Sequence, residues 1–349
     1  MTGSRAPEPD AVDVAGVRAV PTDRCYLCGA EGPVVLRGLR DQLIGVPGIW
    51  SVRRCPRCGL QWLDPRPIDE DIGMLYGEGY FTHEGSAWPS GRVREFLTRV
   101  ILAGRFHYPT AAGWRARLGR GLAAIPPLRD SAGQFVLWLG RRSGGRLLDV
   151  GCGNGGVLER MRGLGWAVRG VEPDPRAREA ANDRLGADVV APDLEAISSG
   201  REMFDVVSLV HVIEHVPDPI GMLDACRRVM RPEGVVVVRT PNLEALGARL
   251  FGRYWRGLEC PRHLFVFSPQ TLRTCTERAG LEVVEIRTPA VMARMIWHAS
   301  WGFRRADSDA PTGSIARLGL SGLVFRGVEE VAVRMKPVGE EILLLARRR

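Results

Sequence analysis

The sequence predicts an α/β chain, a parallel sheet with helices on both faces, preceded by a small cysteine-rich module and a helical segment. Three observations predict it. From Arg146 onward, apolar runs of strand length alternate with stretches of helical period. A glycine-rich turn, Gly151-Cys152-Gly153-Asn154-Gly155-Gly156, links the first of those runs to the first helical stretch. Two Cys-x-x-Cys pairs stand near the amino terminus, Cys25/Cys28 and Cys55/Cys58, with 26 residues between them.

A chain of 349 residues, 45% hydrophobic and 25% charged, has room for two domains or one large domain with an appendage. No uninterrupted apolar run reaches the ~18 residues that a membrane helix needs. Residues 1–20 carry no apolar core of the secretory kind, so residues 1–21 are expected to be a flexible leader and the protein cytoplasmic.

The two cysteine pairs define residues 22–67. Cytoplasmic thiols stay reduced, and two such pairs suit four thiolates around one tetrahedral zinc. Gly29 and Gly59, each directly after a pair, allow the sharp turn that aims backbone N–H groups at the sulfurs. Four thiolates leave no open position for water, so this zinc is expected to be structural, held by Cys25, Cys28, Cys55 and Cys58. Cys152, Cys226, Cys260 and Cys275 show no paired spacing and read as small core residues.

Residues 68–142 are expected to form a helical cap or linker. The net charge is +8, and a single lysine, Lys336, leaves arginine as nearly the whole basic complement. From Arg92 to Arg142 ten arginines face only Glu95 and Asp130, so this segment alone carries the charge excess of the chain. Three roles fit: a cap with a solvated face, a grip on the phosphates of an activated sugar or on an anionic membrane surface, or a track for an RNA backbone.

Residues 143–349 form the α/β unit, with an insertion at 243–270. RLLDV (146–150), WAVRGV (166–171), ADVVA (187–191), FDVVSLV (204–210) and GVVVVRT (234–240) read as buried strands, and EILLLARRR (341–349) as the last. TPAVMARMIWHASWGFR (288–304) reads as an amphipathic helix and ADSDAPTGS (306–314) as a loop. Gly151, Gly153 and Gly156 also satisfy a dinucleotide fingerprint, and Glu172, after the second strand, suits a ribose diol in either case. Three features separate the readings. Asp149 puts a carboxylate where a pyrophosphate would be repelled, Asp193-Leu194 follows the third strand where an adenine edge would lie, and Arg231-Pro-Glu-Gly234 leads into the fifth.

Together these stretches resemble the class I S-adenosylmethionine-dependent methyltransferases: LLDVGCGNGG (147–156), GVEPDP (170–175), FDVVSLVHVIEHVPDP (204–219), RPEGVVVVRTPN (231–242) and PRHLFVFSPQTL (261–272). With CYLCG, RCPRCGLQWLDPRP and LYGEGYFTH ahead of them, the chain is similar to the small-molecule and glycan methyltransferases that carry an amino-terminal zinc ribbon. The resemblance implies a Rossmann-like sheet of seven strands and S-adenosylmethionine as cofactor. It places Asp149 and the turn Gly151, Cys152, Gly153, Asn154 and Gly155 at the methionine end, and Glu172 on the ribose hydroxyls. It puts Asp193 and Leu194 at the adenine, and the backbone at Val210-His211 over the amino-acid portion. Asp193 also suits a helix cap before LEAI.

The sulfonium already activates the methyl group, so the protein must align the acceptor and, for a hydroxyl, take a proton. The preferred base is His263, in the insertion; His215, with Glu214 beside it at the exit of the fourth strand, is the second candidate. Tyr76, Tyr80 and His83 are candidates for the acceptor pocket. The leading reading is methyl transfer to an oxygen or carbon of a small polar acceptor, a sugar, glycan or secondary-metabolite intermediate. Rivals are an RNA methyltransferase, a nonenzymatic zinc-ribbon binding module and an NAD enzyme. Nucleic acid is the weaker partner, because the ribbon lacks interleaved basic and aromatic residues and no Asn-Pro-Pro-Tyr follows the fourth strand.

Overall fold

The computed structural model describes residues 11–76, 91–200, 202–306 and 327–349. Its centre is a sheet of seven strands: β1 (Arg146–Val150), β2 (Ala167–Val171), β3 (Val190–Ala191), β4 (Phe204–Val210), β5 (Met230–Pro241), β6 (Leu281–Arg287) and β7 (Glu341–Arg348). Their spatial order is β6-β7-β5-β4-β1-β2-β3, parallel except for β7, which runs against both neighbours. Helices cover both faces, which is why the central strands are continuous apolar runs and not alternating ones. In β4, Phe204 through Leu209 are all buried. The Rossmann-like fold expected from the sequence is the fold observed.

Six of these strands are legible in the sequence, and β6 is not. That strand lies at the sheet edge, alternates buried and exposed positions, and shifts register between Val283 and Glu285. Gly280, at φ 77°, ends the preceding helix, Pro269–Arg278, and turns the chain into it. The expected amphipathic helix runs from Ala293 to Ala306, while most of the proposed loop at 306–314 falls outside the described residues.

Three boundaries need correction. First, the leader is not flexible throughout: Val12–Val14 and Val17–Val20 form a hairpin whose second strand pairs with Arg66–Pro67, burying Val17 and Ala19. Second, the ribbon is not closed within 22–67. Its antiparallel sheet of Val34–Leu39, Trp50–Arg54 and Gln61–Asp64 is completed by Phe265–Val266, drawn from the insertion.

Third, the basic segment is a helical layer and not a cap over the site. Its helices are α1 (Arg92–Arg105), α2 (Trp114–Leu122) and α3 (Pro126–Phe135). Ile101, Leu102, Phe106, Tyr108 and Phe135 pack with Leu158, Met161 and Trp166, and the Trp166 indole N–H donates to Tyr108 Oη at 2.9 Å. α1 and α2 touch backbone to backbone, since a Cβ on Gly119 would lie 1.7 Å from the Val100 carbonyl oxygen. Apolar burial therefore ties this segment to the sheet, and among the described residues none of 92–142 lines the main cavity.

Candidate active site

A cavity of about 260 Å³ opens at the carboxyl ends of β1, β4 and β5, beside the start of β7. This is the edge at which open α/β sheets bind ligands. Its floor is Asp149, Gly151, Cys152, Asn154, Val210 and His211; its roof is Arg256, Gly257, Glu259 and His263 from the insertion. Met292, Met295 and Ile296 give it one apolar wall.

Asp149 is 2% exposed, and its Oδ1 accepts the Ser208 hydroxyl from β4 at 2.7 Å. Gly151, Gly153 and Gly155 all take positive φ, at 71°, 53° and 77°. A Cβ on Gly151 would lie 2.5 Å from Val212 Cγ2. Gly151→Ala is therefore expected to weaken donor binding at least tenfold while the chain stays folded, as isothermal titration with S-adenosylmethionine would measure. Glu172 bridges two backbone donors, Gly153 N–H at 2.8 Å and Asp174 N–H at 3.0 Å, and burial raises its pKa despite them. It braces the glycine turn. Asn154 Oδ1 accepts from Gly156 N–H at 3.2 Å.

Asp193 occupies the cap role. Its Oδ1 accepts from Ala196 N–H at 2.8 Å at the start of helix Leu194–Ser199, and neither Asp193 nor Leu194 lines the cavity. The cap bond engages Oδ1 of a carboxylate that is exposed to solvent.

His211 stands at φ 54°, a left-handed conformation that few non-glycine residues adopt. Its two ring nitrogens face two buried carboxylates, Nδ1 to Glu214 Oε1 at 3.2 Å and Nε2 to Glu341 Oε1 at 2.8 Å. Burial works against the imidazolium, but Glu214 and Glu341 outweigh it and raise the pKa to about 10. Glu341 in turn pairs with Arg239 at 2.9 Å, both 1% exposed. His211 is thus a fixed cation and not a base. The stabilisation of this network is complete below about 6.5, the ordinary histidine value, and is lost as pH climbs through about 10. The thermal midpoint should fall over that interval, and His211→Asn should flatten the fall.

His215 and His263 are brought together, their rings edge to face with centroids 4.7 Å apart. The His215 turn, residues 211–217, is not helical, so its position comes from hydrogen bonds. Its Nδ1 lies 3.0 Å from the Arg262 carbonyl oxygen and 3.0 Å from Tyr76 Oη. A carbonyl only accepts, so Nδ1 carries the proton and Nε2 is the ring atom able to take one. His263 is likewise anchored, Nδ1–H donating to Gly257 O at 2.9 Å, but it is 5% exposed and burial drives its pKa down to about 4. Glu214 is fully buried and stays ionised; burial opposes this, and His211 is its chief counter-charge. Ligand atoms of Glu214, His215 and His263 lie within 4.8 Å of one another, a spacing that also suits a metal ion. Tyr80 and His83 lie outside the described residues.

The roof is joined to the ribbon by groups that no sequence motif announced. Arg262 and Asp41, both side chains fully buried, form a bidentate pair at 2.7 and 2.8 Å, and Arg262 Nε adds Glu259 at 3.1 Å. Asp41 also accepts backbone N–H groups from Leu43 and Val46. Tyr26, inside the first cysteine pair, donates to Asp218 and accepts from Ile220 N–H, and Arg278 donates to the Leu27 carbonyl. Arg256, Glu259, Arg239 and Glu341 were likewise missed. Only the Met292/Met295 pair had a signal, its three-residue spacing on an amphipathic helix.

The four ribbon sulfurs converge. Cys25 and Cys58 Sγ are 3.5 Å apart, Cys28 and Cys55 3.3 Å, and Cys28 and Cys58 4.0 Å. Four sulfurs at about 2.3 Å from one zinc would sit about 3.8 Å from each other, so the cluster fits that ion. Arg57 and Cys58 N–H groups point at Cys55 Sγ at 3.4 Å, and Gly29 and Gly59 turn at φ 68° and 83° as the spacing required.

A family model for a methyltransferase domain matches residues 126–286. A ubiquinone biosynthesis O-methyltransferase of Cereibacter sphaeroides is 32% identical over 183 residues, 49% of this chain and 74% of that protein. The protein of the same name in Thiobacillus denitrificans is 35% identical over 181 residues, 47% and 75% of the two. The crystal structure of a SAM-dependent methyltransferase from Archaeoglobus fulgidus, 19% identical, gives a TM-score of 0.40 over 71% of this chain and 98% of that one.

Proposed function

The chain belongs to the class I S-adenosylmethionine-dependent methyltransferases, and from that premise we propose that it methylates a hydroxyl oxygen of a small polar acceptor. Family membership makes it an enzyme and removes the nonenzymatic and NAD readings. The observation that carries oxygen as the target is His215, tethered through Nδ1 to the Arg262 carbonyl with Nε2 left for a proton. The relatives named as O-methyltransferases support the same choice.

When bound, the donor supplies a methyl carbon on a positively charged sulfur. Asp149 and the Gly151–Gly155 turn would hold its amino-acid end, and Glu172 its ribose. His215 Nε2 takes the acceptor proton, and ionised Glu214 beside it stabilises the imidazolium that results. His263, whose basicity burial lowers, serves better as a wall and hydrogen-bonding neighbour than as the base, which reverses the order expected from the sequence.

The acceptor we assign is a hydroxylated secondary metabolite or a sugar or glycan. Glu259 and Arg256 offer partners for hydroxyl groups, while Met292, Met295 and Ile296 favour an acceptor with an apolar face beside its hydroxyl. A structural zinc in the ribbon completes the proposal, and we assign the enzyme's action to the cytoplasm, where thiolate ligands stay reduced. Among the described residues no helix is long and apolar enough to cross a membrane.

Purified protein should bind S-adenosylmethionine, release one zinc per chain on denaturation, and transfer label from the donor to a hydroxylated acceptor in a panel of sugar nucleotides, glycans and phenols. Label recovered on carbon or on RNA, with none on hydroxyl groups, would overturn the oxygen assignment.

A further inference from the structure

The surface of the basic helical layer is not explained by methyl transfer. Six of the eight described tryptophans are buried, yet Trp114 at the start of α2 is 65% exposed. Leu118 one turn later is 39% exposed, Ile125 just beyond the helix 46%, and Val93 at the start of α1 73%. Gly119 fixes which side of α2 faces inward, because it packs on the Val100 carbonyl. At 100° per residue, Trp114, Arg117, Leu118 and Gly121 then share the outward stripe, with Arg115 and Arg120 on its flanks. The helix has no acidic residue, and Arg115 stacks over the Trp114 ring at 5.5 Å.

We propose that the outward face of α2, with Ile125 just past its end, docks the protein on an anionic phospholipid bilayer. An indole and aliphatic side chains standing among arginines match the interfacial pattern, in which apolar groups enter the acyl boundary and cations stay at the headgroups. Charge complementarity selects the partner, since the segment from Arg92 to Arg142 carries the whole positive excess of the chain. Isolated exposed leucines are ordinary, but a stripe of tryptophan and leucine ringed by arginine is a patch with a use. An RNA backbone would use the arginines and leave Leu118 and Ile125 without a role. The helices pack on the sheet through their other faces, so docking leaves the donor site intact.

Sedimentation of the full chain with vesicles tests this. It should co-sediment with phosphatidylcholine vesicles containing about one quarter phosphatidylglycerol and remain in solution with phosphatidylcholine alone. Trp114→Glu with Leu118→Glu should abolish sedimentation, and Arg115, Arg117 and Arg120 changed to Gln should weaken it roughly a hundredfold. Both variants should bind S-adenosylmethionine as the parent does, which separates loss of docking from loss of fold or of donor binding. No sedimentation at low salt, or equal sedimentation by the glutamate variant, would overturn the proposal. So would tighter binding of a single-stranded RNA that the glutamate variant retains.

Discussion

Replacing Asp41 by alanine is expected to cost about 3–5 kcal/mol of stability, because it removes the bidentate partner of the buried Arg262 guanidinium and leaves Glu259 only at Nε. Both side chains are 0% exposed, so water cannot substitute for the lost partner. Burial alone would favour the neutral acid, and Arg262 holds Asp41 ionised against it. Removing the pair together, Asp41→Leu with Arg262→Met, should restore most of the loss, since the desolvation cost of both charges disappears with them. The exposed pair of Arg347 and Glu282 is the control, and its removal should leave the midpoint unchanged. Urea unfolding followed by tryptophan fluorescence reads all three. If the single and double variants fall equally, the ion pair is not the cause.

The largest catalytic effect is expected at His215. His215→Asn keeps an N–H close to the Nδ1 position, and with it the bond to the Arg262 carbonyl, while deleting the atom that would accept a proton. Turnover should fall by about 10²–10⁴, the usual contribution of general base catalysis, with donor affinity unchanged. His263→Asn should cost less, because a ring with a pKa near 4 holds few protons at neutral pH in any state. Single-turnover transfer from labelled donor, set beside donor titration, separates the two roles. An equal loss for both variants would make His263 a second proton carrier.

What could be read from the sequence followed locality. β1, its glycine turn and the helix after it are contiguous, and each glycine carries the backbone freedom the turn needs, so Asp149 and Gly151–Gly155 were found with their surroundings. The four cysteines were legible because metal geometry fixes spacing within each pair. The buried ion pairs were not. Asp41 meets Arg262 across 221 residues, and Arg239 meets Glu341 across 102, with no local pattern to mark either. His263 shows a related limit: its place in a loop does not announce the packing that leaves it 5% exposed and lowers its pKa to about 4. Asp193 shows the reverse case. Its helix-cap signal is local, lying in the three residues that follow it, and the cap is what the structure shows.

The borrowed strand Phe265–Val266 has a consequence for biogenesis. Its partner Gln61–Asp64 leaves the ribosome about two hundred residues earlier, so the nascent amino-terminal module waits with an open edge while the rest is translated. At ~5–20 residues per second that interval lasts on the order of ten to forty seconds, long enough for an unpaired strand to meet a chaperone or another nascent chain. Synthesis of the two halves from separate messages would leave the first without the segment that seals it.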